Sequence, residues 1–387
     1  MKLDRSEDQT AVADLVRGIC EDHCTTDIVR QMEDDAKGYH QPFWDALRET
    51  GLMGTFVAEE LGGTPVSMLE NAAMYEEFGR ALAPSPHFGS SVLAALVLAD
   101  QEEMPSSQRL LTEIASGELI IAPAWLETGG GFEPEGVQLR AEKMDDGVRL
   151  NGSKRHVFFA SAAQKLLVLA RSGDAPEAID LFLVDRSAPG VSLKQELSMA
   201  SDTQYLVQFD NVDVAAEQCV SVAGTGWDVW HRAVMQGLIL EAARAVGLAQ
   251  RALEITVQYA QDREQFGKPI GAFQAIGHYL ADCSTEIDGA RLLVQEAAWA
   301  HANGQPYETL AAAAKLFACK VAREVTAKAE QIHGGIGFTM EYDIQLFFRR
   351  AKQQQLNWLD SRRLEDIVAA AVLDSDDLIA VADPFAA

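Results

Sequence analysis

Tyr259-Ala260-Gln261-Asp262-Arg263-Glu264-Gln265-Phe266-Gly267-Lys268-Pro269-Ile270, running on to Phe273-Gln274, is where a long helical pattern stops and a glycine-bearing turn begins. Upstream of it, apolar residues recur at helical spacing over 227–262. Downstream, the same spacing returns over 272–303, 307–333 and 341–356, so the chain from about 226 onward reads as a four-helix bundle. The 307–333 pattern closes in Gln331-Ile332-His333-Gly334-Gly335-Ile336-Gly337-Phe338. These glycines follow a helix and not a strand, so they are not a βαβ dinucleotide fingerprint.

Before the bundle, the period changes twice. Residues 1–120 read as helical: 42–50 stops at Gly51, 68–81 is ended by Pro84 and Pro86, and 90–99 and 107–115 add two more helices. Residues 121–225 turn to short β-rich runs at 166–170, 180–184 and 205–209, separated by Gly173, Pro176 and Pro189-Gly190. Asn151-Gly152 predicts a hairpin turn between alternating runs. The expected fold is α+β: an N-terminal helical domain (1–120), a middle antiparallel β domain (121–225) and a C-terminal bundle (226–387).

Charge narrows the partners. The chain carries 32 Lys+Arg against 58 Asp+Glu, a formal net charge of −26. Such a surface repels phosphate backbones and anionic membranes, so nucleic acid is not an expected partner. Residues 1–35 are dense in charge (Lys2, Asp4, Arg5, Glu7, Asp8) and hold no apolar targeting core, which predicts a cytoplasmic protein without membrane attachment. Five scattered cysteines do not make a disulfide framework. Cys20, His23 and Cys24 lack the further ligands a zinc site needs, so no metal is expected.

The 259–274 and 331–338 stretches resemble motifs of the acyl-CoA dehydrogenase family, as do Gly51-Leu52, Glu59-Glu60-Leu61-Gly62-Gly63 and Glu76-Glu77. The resemblance covers nearly the whole chain. It implies an FAD-dependent oxidoreductase acting on an acyl-CoA thioester. It also implies that Arg263, Gln265, Phe266, Gln274, Gln331, Gly334, Gly335 and Gly337 reach across a dimer interface to the ADP half of a neighbour's FAD. The chemistry of these residues suits that role: Arg263 offers a rigid fork of donors for a pyrophosphate, and glycines let backbone approach a ligand closely. The competing reading pairs Arg263 with Asp262 or Glu264 and makes the glycines a plain turn.

The resemblance breaks where the family's chemistry is done. In that chemistry a carboxylate takes the α-proton while the β-hydrogen leaves as hydride to the flavin. Counted on from Arg349-Arg350-Ala351-Lys352, the usual Glu falls on Trp358, and the following Gly and Thr on Leu359 and Asp360. Some family members carry the base near the start of the long helix, followed by an Arg; those places hold Gly237 and Leu238. Glu241, one turn on, is the remaining candidate on that helix, with Asp360 as another. The flavin-side loop, which resembles Thr-Glu-Pro-x-x-Gly-Ser in the family, reads Leu126-Glu127-Thr128-Gly129-Gly130-Gly131-Phe132. The family's Trp-x-Thr has become His156-Val157-Phe158.

The losses fall on this chain's own flavin and substrate, while the residues implied to serve a neighbour's FAD are kept. That pattern resembles subunits of bacterial α2β2 acyl-CoA dehydrogenases, often specific for steroid side-chain thioesters. It predicts a chain that completes the FAD site of a Glu-bearing partner, with electron transfer flavoprotein as electron acceptor. The alternatives are a homotetramer using Glu241 or Asp360 as base, and a non-catalytic scaffold of the same fold. His231 and Arg232 are candidate contacts for the CoA phosphates.

Overall fold

The computed structural model describes residues 4–33, 35–102, 105–200 and 202–374; Lys2 and the expected C-terminal domain beyond 374 lie outside the described residues. The chain divides into two compact units, Glu7–Gly237 and a second built from Leu238 onward.

In the first unit, six helices precede the sheet: α1 (Glu7–His23), α2 (Thr26–Glu33), α3 (Gln41–Glu49), α4 (Met68–Arg80), α5 (Ala95–Asp100) and α6 (Pro105–Ala115). α3 carries Pro42 in its first turn, and the chain leaves it through Gly51 at φ 75°. The helix expected over 90–99 is two pieces: a π-helical stretch, Phe88–Ala94, runs into α5. A buried aromatic cluster braces this region. The His87 ring sits with one nitrogen, Nε2, 3.0 Å from Leu52 O, which can only accept, so Nε2 carries the proton. Nδ1 therefore accepts from the Tyr75 hydroxyl at 2.8 Å. Burial pushes the imidazole down to about 4.

Seven strands follow: β1 (Ile121–Ala124), β2 (Arg140–Met144), β3 (Gly147–Phe158), β4 (Lys165–Arg171), β5 (Ile179–Asp185), β6 (Val191–Glu196) and β7 (Gln204–Ala215). Their order is β1-β4-β2-β3-β7-β6, with β5 also on β4. The sheet is mixed rather than wholly antiparallel, because β1 runs parallel to β4, and β2 meets β4 in parallel at Arg140 and Arg171. Leu166 to Ala170 are fully buried, which is why β4 reads as a continuous apolar run. The hairpin predicted at Asn151-Gly152 lies elsewhere: the turn is Asp145-Asp146, between β2 and β3. Asn151-Gly152 instead forms a bulge inside β3, where Gly152 has φ 140° and Asn151 Oδ1 accepts from Asn211 N at 2.8 Å. A bulge needs the same positive-φ freedom and local side-chain acceptor as a turn, so the dipeptide signals either.

α7 (Gly226–Asp262) begins in the first unit and supplies the core helix of the second, with α8 (Gln274–Ala302), α9 (Glu308–His333) and α10 (Ile344–Leu356). A further helix, α11 (Ser361–Leu373), follows these four. From Leu238 to Ala249 nearly every α7 side chain is buried, and all but Glu241 and Arg244 are apolar, as suits a central bundle helix. Among the described residues no helix is long and apolar enough to cross a membrane.

His87 makes stability pH-dependent in a stated window. The unfolded imidazole takes a proton near its ordinary 6.5, the folded one only near 4. Between those values the unfolded chain holds one proton more, so stability falls as pH drops through the window and levels off below it, by about 3 kcal/mol for this group. Urea unfolding at pH 6.5 and pH 4 is expected to show a smaller loss of about that amount in His87→Gln, which does not titrate.

Candidate functional site

α7 ends at Asp262, and the Arg263 N–H still reaches Tyr259 O at 2.8 Å. The chain then turns back through two short strands, β8 (Glu264–Gln265) and β9 (Lys268–Pro269), with Gln265 opposite Lys268. Phe266 and Gly267 make the turn at φ 55° and 79°, the doubly positive geometry of a tight hairpin. A phenylalanine there costs roughly 1–2 kcal/mol of backbone strain. Its ring is 93 % exposed and touches Phe273 edge-on at 6.2 Å. Arg263, Gln265 and Gln274, the first residue of α8, are all exposed. Among the described residues Arg263 makes no ion pair; Asp262 accepts from Gln258 Nε2 at 2.9 Å instead.

The glycine run lies at the same end of this unit. The Tyr259 ring stacks on His333 at 4.3 Å and 26°, and Tyr342 closes on His333 at 5.1 Å. Arg263 is one helical turn beyond Tyr259, and Gly334 follows His333. Gly334 has φ 64° and ψ −140°, a region that other residues rarely enter. A methyl group added at Gly334 or Gly335 would meet nothing within 4 Å, so their backbone faces open space. Gly337 differs: a methyl there would lie 2.7 Å from the Glu330 carboxylate, so this glycine serves packing. Gln331 is exposed beside the run, and Phe338 and Met340 leave large apolar surface uncovered. A guanidinium without an ion pair among the described residues, open glycine backbone and an exposed amide, all at one end of this unit, are donors suited to a nucleotide's phosphates.

The positions where a base is expected are built differently. Trp358 lies just past α10, buried, with φ 65°. The segment holding it is pinned from inside by Lys315, a fully buried lysine on α9. Its Nζ donates to Leu359 O (2.7 Å), Asn357 O (2.9 Å) and Gln354 O (3.3 Å). Asp360 is engaged in capping α11, accepting from Arg363 N at 2.9 Å. Gly237, in the first unit, has no room for any side chain: a methyl there would lie 2.9 Å from Phe88 Cζ and 3.0 Å from Leu93 Cδ2. Leu238 is buried. Glu241 is buried in the second unit and paired with Arg244 Nη1 at 3.6 Å. Beside it, burial raises the Cys319 thiol, Lys315 opposes the rise and Glu241 adds to it.

In the first unit, the 126–132 loop is tied down by a buried ion pair. Lys154 Nζ donates to Glu127 at 2.6 Å and to Trp125 O at 3.2 Å. Glu127 also accepts from the backbone N–H groups of Gln138 and Leu139, each at 3.0 Å. Burial lowers the Lys154 amine to about 8 against the opposing pull of Glu127. His156 stands at a second bulge in β3, at φ 53°, exposed, with Nδ1 2.9 Å from Gln204 Oε1. Leu126, Phe132 and Phe158 offer no side-chain hydrogen bond where the family has hydroxyls. Of the CoA candidates, Arg232 is paired with Asp100 at 2.7 Å and His231 lies against Trp227.

Three residues that organise these places escaped the sequence reading: Lys315, Lys154 and Phe88. A signal existed for the first, since one lysine among Ala311-Ala312-Ala313-Ala314 and Leu316-Phe317-Ala318 sits on an apolar face. Phe88 carries none, because its partner is distant in sequence.

Comparison with known proteins identifies the framework. Family models for the acyl-CoA dehydrogenase N-terminal, middle and C-terminal domains match residues 6–118, 122–212 and 224–357. A probable acyl-CoA dehydrogenase of Bacillus subtilis, YngJ, is 32% identical over 357 residues, covering 88% of this chain and 93% of that one. The structure of butyryl-CoA dehydrogenase from Megasphaera elsdenii superposes with a TM-score of 0.86 at 28% identity, covering 96% and 99% of the two chains. The ChsE4–ChsE5 complex from Mycobacterium tuberculosis gives 0.85 at 27%, covering 95% and 98%. The chain belongs to the acyl-CoA dehydrogenase family, an FAD-dependent oxidoreductase family.

Replacing Lys315 by Met removes the buried donor shared by three carbonyls of the 354–359 segment, of which Asn357 O keeps the Leu359 N–H and Gln354 O the Cys319 thiol. A loss of about 2–4 kcal/mol in unfolding free energy is expected, with hydrogen exchange accelerating first at residues 354–360.

Proposed function

We propose that this chain is the base-lacking subunit of a heteromeric acyl-CoA dehydrogenase, completing the FAD site of a partner chain that carries the catalytic glutamate. FAD, when bound, takes up the β-hydrogen of the acyl chain as hydride. The role assigned to this chain is to hold the nucleotide end of the partner's cofactor. Arg263 would pair with the diphosphate, the open backbone of Gly334 and Gly335 would offer N–H donors, and Gln331, Gln265 and Gln274 would supply polar contacts. Gly337 and the Phe266 turn shape the arm. The α-proton is taken by the partner's carboxylate, because positions 358 and 237 here hold a buried indole and a glycine filled by Phe88.

One observation carries this reading: Arg263 is exposed without an ion pair, while the base position is sealed by Lys315. A chain that reacts alone would share the exposed arginine but would present a carboxylate at the base position. The ChsE4–ChsE5 structure, a complex of two different chains by its name, supports the heteromeric arrangement. A relative of 29% identity, the CarC subunit of the caffeyl-CoA reductase–Etf complex of Acetobacterium woodii, supports electron transfer flavoprotein as the acceptor. The substrate is an acyl-CoA thioester, for which a bulky acyl group such as a steroid side chain suits a two-chain active site.

Coexpression with a glutamate-bearing acyl-CoA dehydrogenase-like partner tests the proposal. The pair is expected to carry FAD and oxidise an acyl-CoA, and this chain alone to do neither. In the pair, Arg263→Ala is expected to weaken FAD retention roughly 10- to 100-fold, the worth of a charged hydrogen-bond pair, with assembly size unchanged. Equal flavin retention in Arg263→Ala contradicts the assignment.

A further inference from the structure

We infer that Phe88 closes this chain's own acyl site, so that the subunit holds no thioester acyl group of its own. The inference rests on the half-enzyme reading above and deepens it. A base works only where the substrate's α-carbon comes within proton-transfer reach. Position 237, where some relatives carry the base, therefore borders the acyl site, and here it is the ring of Phe88 that stands against it.

The contact is built, not incidental. A Cβ at Gly237 would lie 2.9 Å from Phe88 Cζ, 3.4 Å from Cε2 and 3.0 Å from Leu93 Cδ2. Phe88 and Leu93 are five residues apart. On an α-helix that spacing separates side chains by about 140° around the axis, and they would not share a face. The wider i→i+5 winding of the Phe88–Ala94 stretch brings both onto Gly237. Both side chains are buried. Phe88 is held from behind by Tyr75, ring edge to face at 5.9 Å and 71°. Tyr75 is fixed in turn by its hydrogen bond to His87, and His87 by Leu52 O. The glycine completes the device. It costs the helix roughly 1 kcal/mol relative to alanine, and it sits where only a missing Cβ admits the ring.

Binding stoichiometry tests this in the coexpressed pair. The probe is S-octyl-CoA, a thioether with no carbonyl to activate, titrated by calorimetry. The wild-type pair is expected to bind one per two unlike chains, and Phe88→Ala two. Phe88→Leu serves if the alanine variant does not fold. A second measurement reads the contact itself: Gly237→Ala is expected to lower Tm by roughly 1–4 °C, as overpacking does in a chain of this length, and to have no such effect in the Phe88→Ala background. Two probe molecules per wild-type pair, or one per pair in wild type and both Phe88 variants alike, overturns the plug. A Gly237→Ala variant with unchanged Tm also overturns it. The half-enzyme reading fails separately, by turnover in this chain alone.

Discussion

A buried amine must find acceptors, and Lys315 finds three in the backbone of one short segment. That constraint organises the far side of the bundle. Helix α10 ends with carbonyls that have no intrahelical donor, and Lys315 on α9 donates to one of them, Gln354 O, and to Asn357 O and Leu359 O just beyond. The segment after α10 is thereby drawn inward, and Trp358 accepts a left-handed backbone in order to be buried. Strain of this kind persists only where surroundings over-determine the conformation. Here three hydrogen bonds and an apolar pocket do so, and no side chain at 358 is presented outward. Asp360 then begins α11 as its cap, which commits the next acid as well.

The opposite end of the same unit is built with the reverse economy. The stack of Tyr259 on His333 joins the end of α7 to the end of α9, so that Arg263, without an ion pair among the described residues, and glycine backbone that faces open space lie at one end of the unit. Burying neither the Phe266 ring nor the Phe338 ring is costly for a chain in water, since each exposes apolar area that burial would stabilise at about 25 cal/mol per Å². Such surface is characteristic of an interaction face. Sealed chemistry at one end and unfinished chemistry at the other are the two halves of the proposed division of labour with a second chain.

Much of this was legible in residue order. The helix–sheet–helix succession followed from period alone, and α3, α4, α7, α8 and α9 lie within a few residues of where the spacing puts them. The arm and the glycine run were legible as motifs, and the vacant base positions as departures from one. What failed did so for physical reasons. Asn151-Gly152 signals positive φ, and a bulge uses that as readily as a hairpin. The short strands β1 and β6 hide because Pro123 and the alternating Ser192 and Lys194 lack a strand's usual composition. The π-helical winding at Phe88 is not encoded in spacing at all; it emerges where Leu93 and Phe88 must both meet Gly237. Lys315 stood out as a lysine on an apolar face, but its acceptors, like the Lys154–Glu127 pair, are tertiary facts, visible only once distant segments touch.

The central claim is that this chain grips a cofactor belonging to its neighbour. A crystal or cryo-electron microscopy structure of the FAD-loaded pair addresses it directly. The account predicts the Arg263 guanidinium within hydrogen-bond distance of a diphosphate whose flavin ring lies in the partner chain. A flavin ring lodged against His156 and Phe158 of this chain, facing an acyl-CoA in its own fold, would contradict it.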